Sequence, residues 1–142
     1  MRLERVFIDA NVLVSALPFD GNERKVLRLA ADRKICPIFS ELVLREAHRV
    51  VEAKFPTLAP KMRTELSLLD YELVTDIKPS LITQAAALVR DPADVEVLAA
   101  ILASKPDVAL TGDKDLLTDE VKAVAPTCRC AEYLDRREEA ED

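Results

Sequence analysis

Two short, wholly apolar runs, Val6-Phe7-Ile8 and Val108-Ala109-Leu110, each stop at a polar segment, Asp9-Ala10-Asn11 and Thr111-Gly112-Asp113. Apolar runs too short for a helix and bounded by polar residues read as buried strands. Between them the apolar residues recur at helical spacing. The pattern predicts a strand over Leu3 to Asp9, a helix near Asn11, and a second helix over Glu23 to Arg33, where Val26, Leu27, Leu29 and Ala30 form a stripe. Ile35 to Phe39 is then a strand ended by Ser40, and Ser40 to Phe55 a long amphipathic helix closed by Pro56.

Further along, helices are expected over Ala59 to Leu69, from Pro79 to about Val89, and from Asp91-Pro92 to Ser104, with a strand over Tyr71 to Thr75. A short helix follows the strand Val108 to Leu110 through Leu116 and Leu117, and Thr127 to Leu134 holds one more strand and a helical end. Strands alternating with helices imply an α/β fold with a mainly parallel sheet. The chain of 142 residues, 49% hydrophobic, can bury one core, so one domain is expected over residues 1–135. Residues 136–142 read as a charged tail that frays.

Several function classes lack the material they need. With two glycines, Gly21 and Gly112, neither a phosphate-cradling loop nor a dinucleotide-binding turn can be built, so no nucleotide cofactor is expected. His48 is the single histidine and shares a polar helix face with Arg45 and Glu52, which leaves no triad or His pair. Cys36, Cys128 and Cys130 are an odd set read as reduced thiols. The Cys128-x-Cys130 pair lacks the second pair a tetrahedral metal site needs, and alternation in a terminal strand explains it equally well. No apolar run is long enough to cross a bilayer and the charged N-terminus does not resemble a signal peptide, so a soluble, cytoplasmic protein is expected.

What remains is carboxylates. Asp9 and Asp113 stand where strands end, the place at which open parallel sheets bind ligands. Glu46 has Leu42, Val43 and Val50 three and four positions away, so it lies toward the buried stripe, where a bare charge must be paired, metal-bound or neutralised. Asp94 shares a helix face with Val97, Leu98, Ile101 and Leu102, although Asp91, Pro92 and Asp94 also fit a helix-initiating cap. Asp113 and Asp9 each admit a plain capping role too. Their convergence in one α/β fold is what points to a divalent cation held among repelling acids.

The net charge of −6 is unevenly spread: 12 Lys and Arg against 8 Asp and Glu in residues 1–63, and 8 against 18 in residues 64–142. A phosphate substrate could meet the basic half while a cation bridges it to the acidic half, with weak binding when metal is absent.

The segments Phe7-Ile8-Asp9-Ala10-Asn11-Val12-Leu13-Val14-Ser15-Ala16 and Leu110-Thr111-Gly112-Asp113-Lys114-Asp115-Leu116-Leu117 resemble the opening and closing motifs of PIN domain nucleases. The resemblance spans about Val6 to Leu134, with Ala10 standing where the family often has Thr. It implies a three-layer α/β/α sandwich around a parallel sheet, Mg²⁺ or Mn²⁺ at an acidic pocket, and hydrolysis of RNA phosphodiester bonds. Asp9, Glu46, Asp94 and Asp113 match the metal ligands, Asp115 and Asp91 are outer members, and Asn11, Ser15 and Thr111 are polar supports. Many bacterial members are VapC-like toxins restrained by an antitoxin, which adds an antitoxin partner and a homodimer to the expectations. Two alternatives stand beside this reading. One is an inactive PIN-like binding module. The other is a phospho-aspartate Mg²⁺ domain, disfavoured because Asn11 replaces the acid that a dehalogenase-like motif needs.

Overall fold

A computed structural model describes residues 2–141. Five strands, β1 (Glu4–Ile8), β2 (Ile35–Ser40), β3 (Glu72–Val74), β4 (Val108–Leu110) and β5 (Thr127–Cys128), form one sheet in the order β3-β2-β1-β4-β5, every neighbouring pair parallel. Val6, Phe7 and Ile8 are consecutive and each fully buried. Successive strand residues point to opposite faces, so both faces of the sheet at β1 are covered, as a sandwich with helices on the two sides requires.

The helices are α1 (Ala10–Ala16), α2 (Asn22–Ala31), α3 (Glu41–Lys54), α4 (Ala59–Leu68), α5 (Pro79–Ala86), α6 (Pro92–Ser104), α7 (Asp119–Lys122) and α8 (Cys130–Glu141), with single 3₁₀ turns at Pro56–Leu58 and Lys114–Leu116. Ser40 caps α3 by accepting from the Val43 amide at 3.1 Å, and Asp91 caps α6 by accepting from Ala93 at 2.8 Å. Among the described residues, no helix is long and apolar enough to cross a membrane.

Pro37 lies inside β2, a strand flanked on both sides, where its missing amide donor would normally disqualify it. The register explains its presence. β3 begins opposite Ile38, so on that side Pro37 has no partner to serve.

Two expectations change. Helix α8 runs to Glu141, so residues from Arg136 onward are not a frayed tail; Asp142 lies outside the described residues. The helix is held by Tyr133, which is buried and bonds Glu4, and by Arg137, whose Nη1 reaches Glu4 at 3.2 Å. The cysteines also differ from simple alternation along a strand. Cys128 ends β5 and Cys130 opens α8, both buried and free, and burial pushes the Cys130 thiol up to about 12.

The chain builds β1, β2 and β3 outward in one direction, then returns to add β4 and β5 on the other flank of β1. The strand order therefore reverses between β1 and β4, and a crevice opens where their carboxyl ends diverge.

A candidate acidic metal site at the strand ends

Asp9 follows β1 directly and opens α1. One of its oxygens accepts from the Ala10 amide at 2.8 Å and the other from the Thr111 hydroxyl at 2.7 Å, while its own amide donates to the Leu110 carbonyl at 3.0 Å. The residue is only 7% exposed. Burial holds its carboxyl above the usual range despite those two hydrogen bonds, and the charges of Asp113 and Glu46 push the same way.

Thr111 sits at the matching exit from β4. Its hydroxyl donates to Asp9 and accepts from the Asp113 amide at 3.0 Å, so one buried oxygen ties the two strand ends together. Alongside, the Asn11 carboxamide accepts from the Gly112 amide at 3.2 Å. Asp113 turns back to accept from the Asp115 amide at 2.9 Å, which fixes the 3₁₀ turn that presents both acids.

Asp94 comes from the first turn of α6, behind Pro92. Asp91 does the capping, which frees the Asp94 carboxylate to face Asp113. Asp94, Asp113 and Asp115 each place one oxygen within 4.8 Å of the others, and among the described residues this is the only such group of His, Cys, Asp or Glu. The Asp94 carboxyl is pushed up to about 7, first by burial, then by a hydrogen bond shared with Asp113, then by the charges of Asp113, Asp91 and Asp115.

Glu46 and Asp9 line the same cleft as Asp94 and Asp113, about 490 Å³ in volume, but stand outside the tight trio. Glu46 sits at the edge of its helix stripe and not within it. Its side chain is 38% exposed and pairs with Arg49 at 2.6 Å. Asn11 and Ser15 also line the cleft. Asp91 and Asp115 are exposed and do not line it, although Asp115 belongs to the trio. His48 is half-buried, its Nδ1 2.7 Å from the Leu44 carbonyl, and takes no part.

The cleft has a second end that the acids did not announce. Pro18, Phe19, Val50, Lys54 and Phe55 line it, and Phe19 is 63% exposed. The Pro18-Phe19-Asp20-Gly21 segment between α1 and α2 reads in sequence as an ordinary polar loop, so only the fold brings its phenylalanine to the acids.

The donor chemistry fits a hard divalent cation. The charged groups on offer as ligands are carboxylates, whose oxygens Mg²⁺ and Mn²⁺ prefer, and no thiol or imidazole lines the cleft. Two such charges ~5 Å apart repel by roughly 1–3 kcal/mol between the bulk-water and protein-surface dielectric limits, a cost that a cation among them would reverse.

Residues 5–115 match the sequence pattern of a family described as PIN domain. No curated protein sequence matches at a significant level. Several solved structures share the fold at low identity. The structure of VapBC2 from Rickettsia felis, bound to a DNA fragment from its promoter, superposes with TM-score 0.61 at 14% identity, covering 88% of this chain and 98% of that one. The PAE2754 protein from Pyrobaculum aerophilum gives 0.63 at 12% identity, covering 94% of each chain. VapC20 of Mycobacterium tuberculosis, described as a toxin that cleaves the sarcin-ricin loop, gives 0.58 at 19% identity, covering 79% and 92%.

Proposed function

The chain belongs to the PIN domain family, and from that premise we propose that it is a metal-dependent ribonuclease whose acidic cleft holds Mg²⁺ or Mn²⁺ against an RNA phosphodiester. The observation that carries this reading is the meeting of Asp94, Asp113 and Asp115 within 4.8 Å, at a cleft that Asp94 and Asp113 line together with Asp9 and Glu46. Acids separated by up to about a hundred residues are crowded together at a cost to the fold, which a function requiring a cation explains and a purely structural role does not.

Asp94 and Asp113 are the central ligands on this reading, with Asp115 completing the group from its exposed side. Asp9 and Glu46, which line the same cleft, serve beside them. A divalent cation bound there would supply an acidified water as nucleophile and neutralise charge at the phosphate. The chain's own residues supply placement. Thr111 orients the Asp9 carboxylate, the Asn11–Gly112 bond holds the Asp113 turn beside α1, and Arg49 restrains Glu46. No histidine lines the cleft, so proton transfer falls to water and carboxylates.

The same reading makes the protein a cytoplasmic toxin restrained by an antitoxin and assembled as a homodimer. Its support is the resemblance in the strand-end motifs and the shared fold with VapBC2 and VapC20.

The test is cleavage of mixed single-stranded RNA by the purified chain. Activity should appear with Mn²⁺ or Mg²⁺ and vanish with EDTA. Asp9→Asn and Asp113→Asn should each lose about 100-fold or more, the scale of removing one electrostatic group at a reacting centre, with far-UV circular dichroism unchanged. A wild-type protein that binds Mn²⁺ and leaves RNA intact would favour the inactive binding module.

A further inference from the structure

Because β5 lies beside β4, whatever follows β5 stands next to the acids that follow β4. The residue directly after β5 is Arg129, and its Nη1 donates to the Gly112 carbonyl at 3.3 Å, one residue before Asp113. Arg129 shares an open groove of about 420 Å³ with Lys114, Leu117, Lys122 and Glu132. Glu132 is already engaged by Arg136 at 3.4 Å.

Among the described residues, neither Lys114, Lys122 nor Arg129 makes an ion pair. Lys114 is the telling case. It is flanked in sequence by Asp113 and Asp115, yet bonds neither and lines the groove instead. Three unpaired cations thus face one groove in the half of the chain where Asp and Glu outnumber Lys and Arg 18 to 8. Like charges gathered this way repel one another unless an anion joins them.

We propose that this groove is a subsite for the phosphate backbone of single-stranded RNA, holding phosphates next to the one presented to the acidic cleft. The inference rests on the ribonuclease reading and extends it. A polyanion laid across a cleft of carboxylates is repelled along its length, and cations at the flank offset that repulsion where the cleft's own cation does not reach. No aromatic residue lines the groove, so the subsite grips phosphates and reads no bases.

The experiment is fluorescence anisotropy of a labelled single-stranded RNA oligonucleotide with the full chain in EDTA, across about 50 to 200 mM salt. Wild type is compared with K114Q/K122Q, which leaves the Arg129–Gly112 contact in place, and with the charge-keeping K114R/K122R. Two lost phosphate contacts should flatten the slope of log affinity against log salt by about 1.4. Over that range wild type should therefore lose about sevenfold more affinity than K114Q/K122Q, and K114R/K122R should follow wild type. Equal slopes for wild type and K114Q/K122Q, or no RNA binding by wild type at low salt, overturn the subsite. So does a loss confined to polyglutamate binding, which would assign the groove to an acidic protein. Cleavage measured in parallel with Mn²⁺ separates the two claims. A slope change without cleavage leaves the subsite and removes the nuclease, and cleavage without a slope change does the reverse.

Discussion

The Thr111 hydroxyl donates to the Asp9 carboxylate at 2.7 Å across the ends of β4 and β1, joining residues 102 positions apart at the floor of the acidic cleft. The same oxygen accepts from the Asp113 amide, so a single buried atom orders acids from two strands.

Thr111→Val keeps the shape and removes that oxygen, leaving a buried carboxylate oxygen and a buried-side amide without their partner. Stability should fall by about 1–3 kcal/mol, the cost of unsatisfied polar groups in an interior. RNA cleavage should fall about 10- to 100-fold, as for other changes behind metal ligands. Urea unfolding and cleavage rates on the same preparation check both. A variant with wild-type stability and rate would show that Asp9 is oriented by something other than Thr111.

Asp94→Asn should act in opposite directions with and without metal. In EDTA, at a pH above the Asp94 value of about 7 so that the carboxyl is ionised, the substitution removes one charge from a group spaced within 4.8 Å, and relief of about 1 kcal/mol should raise the melting temperature. With Mn²⁺ the order should invert, because wild type gains stability from a bound ion and the variant gains less; an ion at 100 times its Kd contributes about 2.7 kcal/mol. Differential scanning fluorimetry with and without Mn²⁺ reads both limbs. A variant that melts lower than wild type in EDTA would mean that Asp94 supports the fold directly.

Much of this arrangement is visible in the chain before any coordinates. β1 and β4 are legible because each has a short apolar run that stops at a polar segment, which reads as a buried strand, and the acids at their exits follow from that placement. Helix α3 is legible from Ser40 at its cap and Pro56 beyond its end. Glu46 is half legible. Periodicity puts it near the buried stripe, but a one-residue rotation of a 3.6-residue period decides between wall and rim, and Arg49 draws it to the rim. The basic groove is not legible at all, since its cations come from a 3₁₀ turn, a helix end and a loop and are outnumbered locally by acids. Helix α8 is obscured for a different reason: seven of its twelve residues are charged and its anchors, Tyr133 and Arg137, meet a residue near the other end of the chain.

The opposite rim of the sheet carries a pH dependence of known sign. Arg5 forks onto Glu72 with two contacts of 2.8 Å, and this bond holds the Glu72 carboxyl below its ordinary range. Asp107 is lowered too, by Arg2 first and then by the Arg5 amide. A carboxylate whose folded pKa is depressed adds stability that is complete above its unfolded value and is lost as pH falls through the folded one. Stability should therefore decline as pH drops through and below the normal Glu and Asp range. For Glu72, almost half exposed, the contribution stays within about 1 kcal/mol. Glu72→Gln should lower stability at neutral pH and flatten the acid limb of a stability–pH curve. An unchanged acid limb would place the acid sensitivity elsewhere.

The C-terminal helix supplies the last test, because removing a charged tail and removing a structural clasp give different results. Arg137 lies 3.2 Å from Glu4 and 3.2 Å from the Tyr133 hydroxyl, while Tyr133 itself bonds Glu4. Glu4 opens β1, the strand that Asp9 directly follows, so α8 is fastened to the end of that strand away from the cleft. Truncation after Asp135 removes Arg137 and leaves Glu4 with its tyrosine partner alone. A hydrogen bond to a charged group is worth about 1.5–3 kcal/mol, discounted here because the pair is partly exposed, so a loss of about 1 kcal/mol is expected. Arg137→Ala should reproduce most of it and Arg137→Lys should recover part. Metal binding by the acidic cleft should be unaffected, since the clasp and the acids sit at opposite ends of β1. Truncation with no change in urea midpoint would return residues 136–142 to the status of a solvated tail.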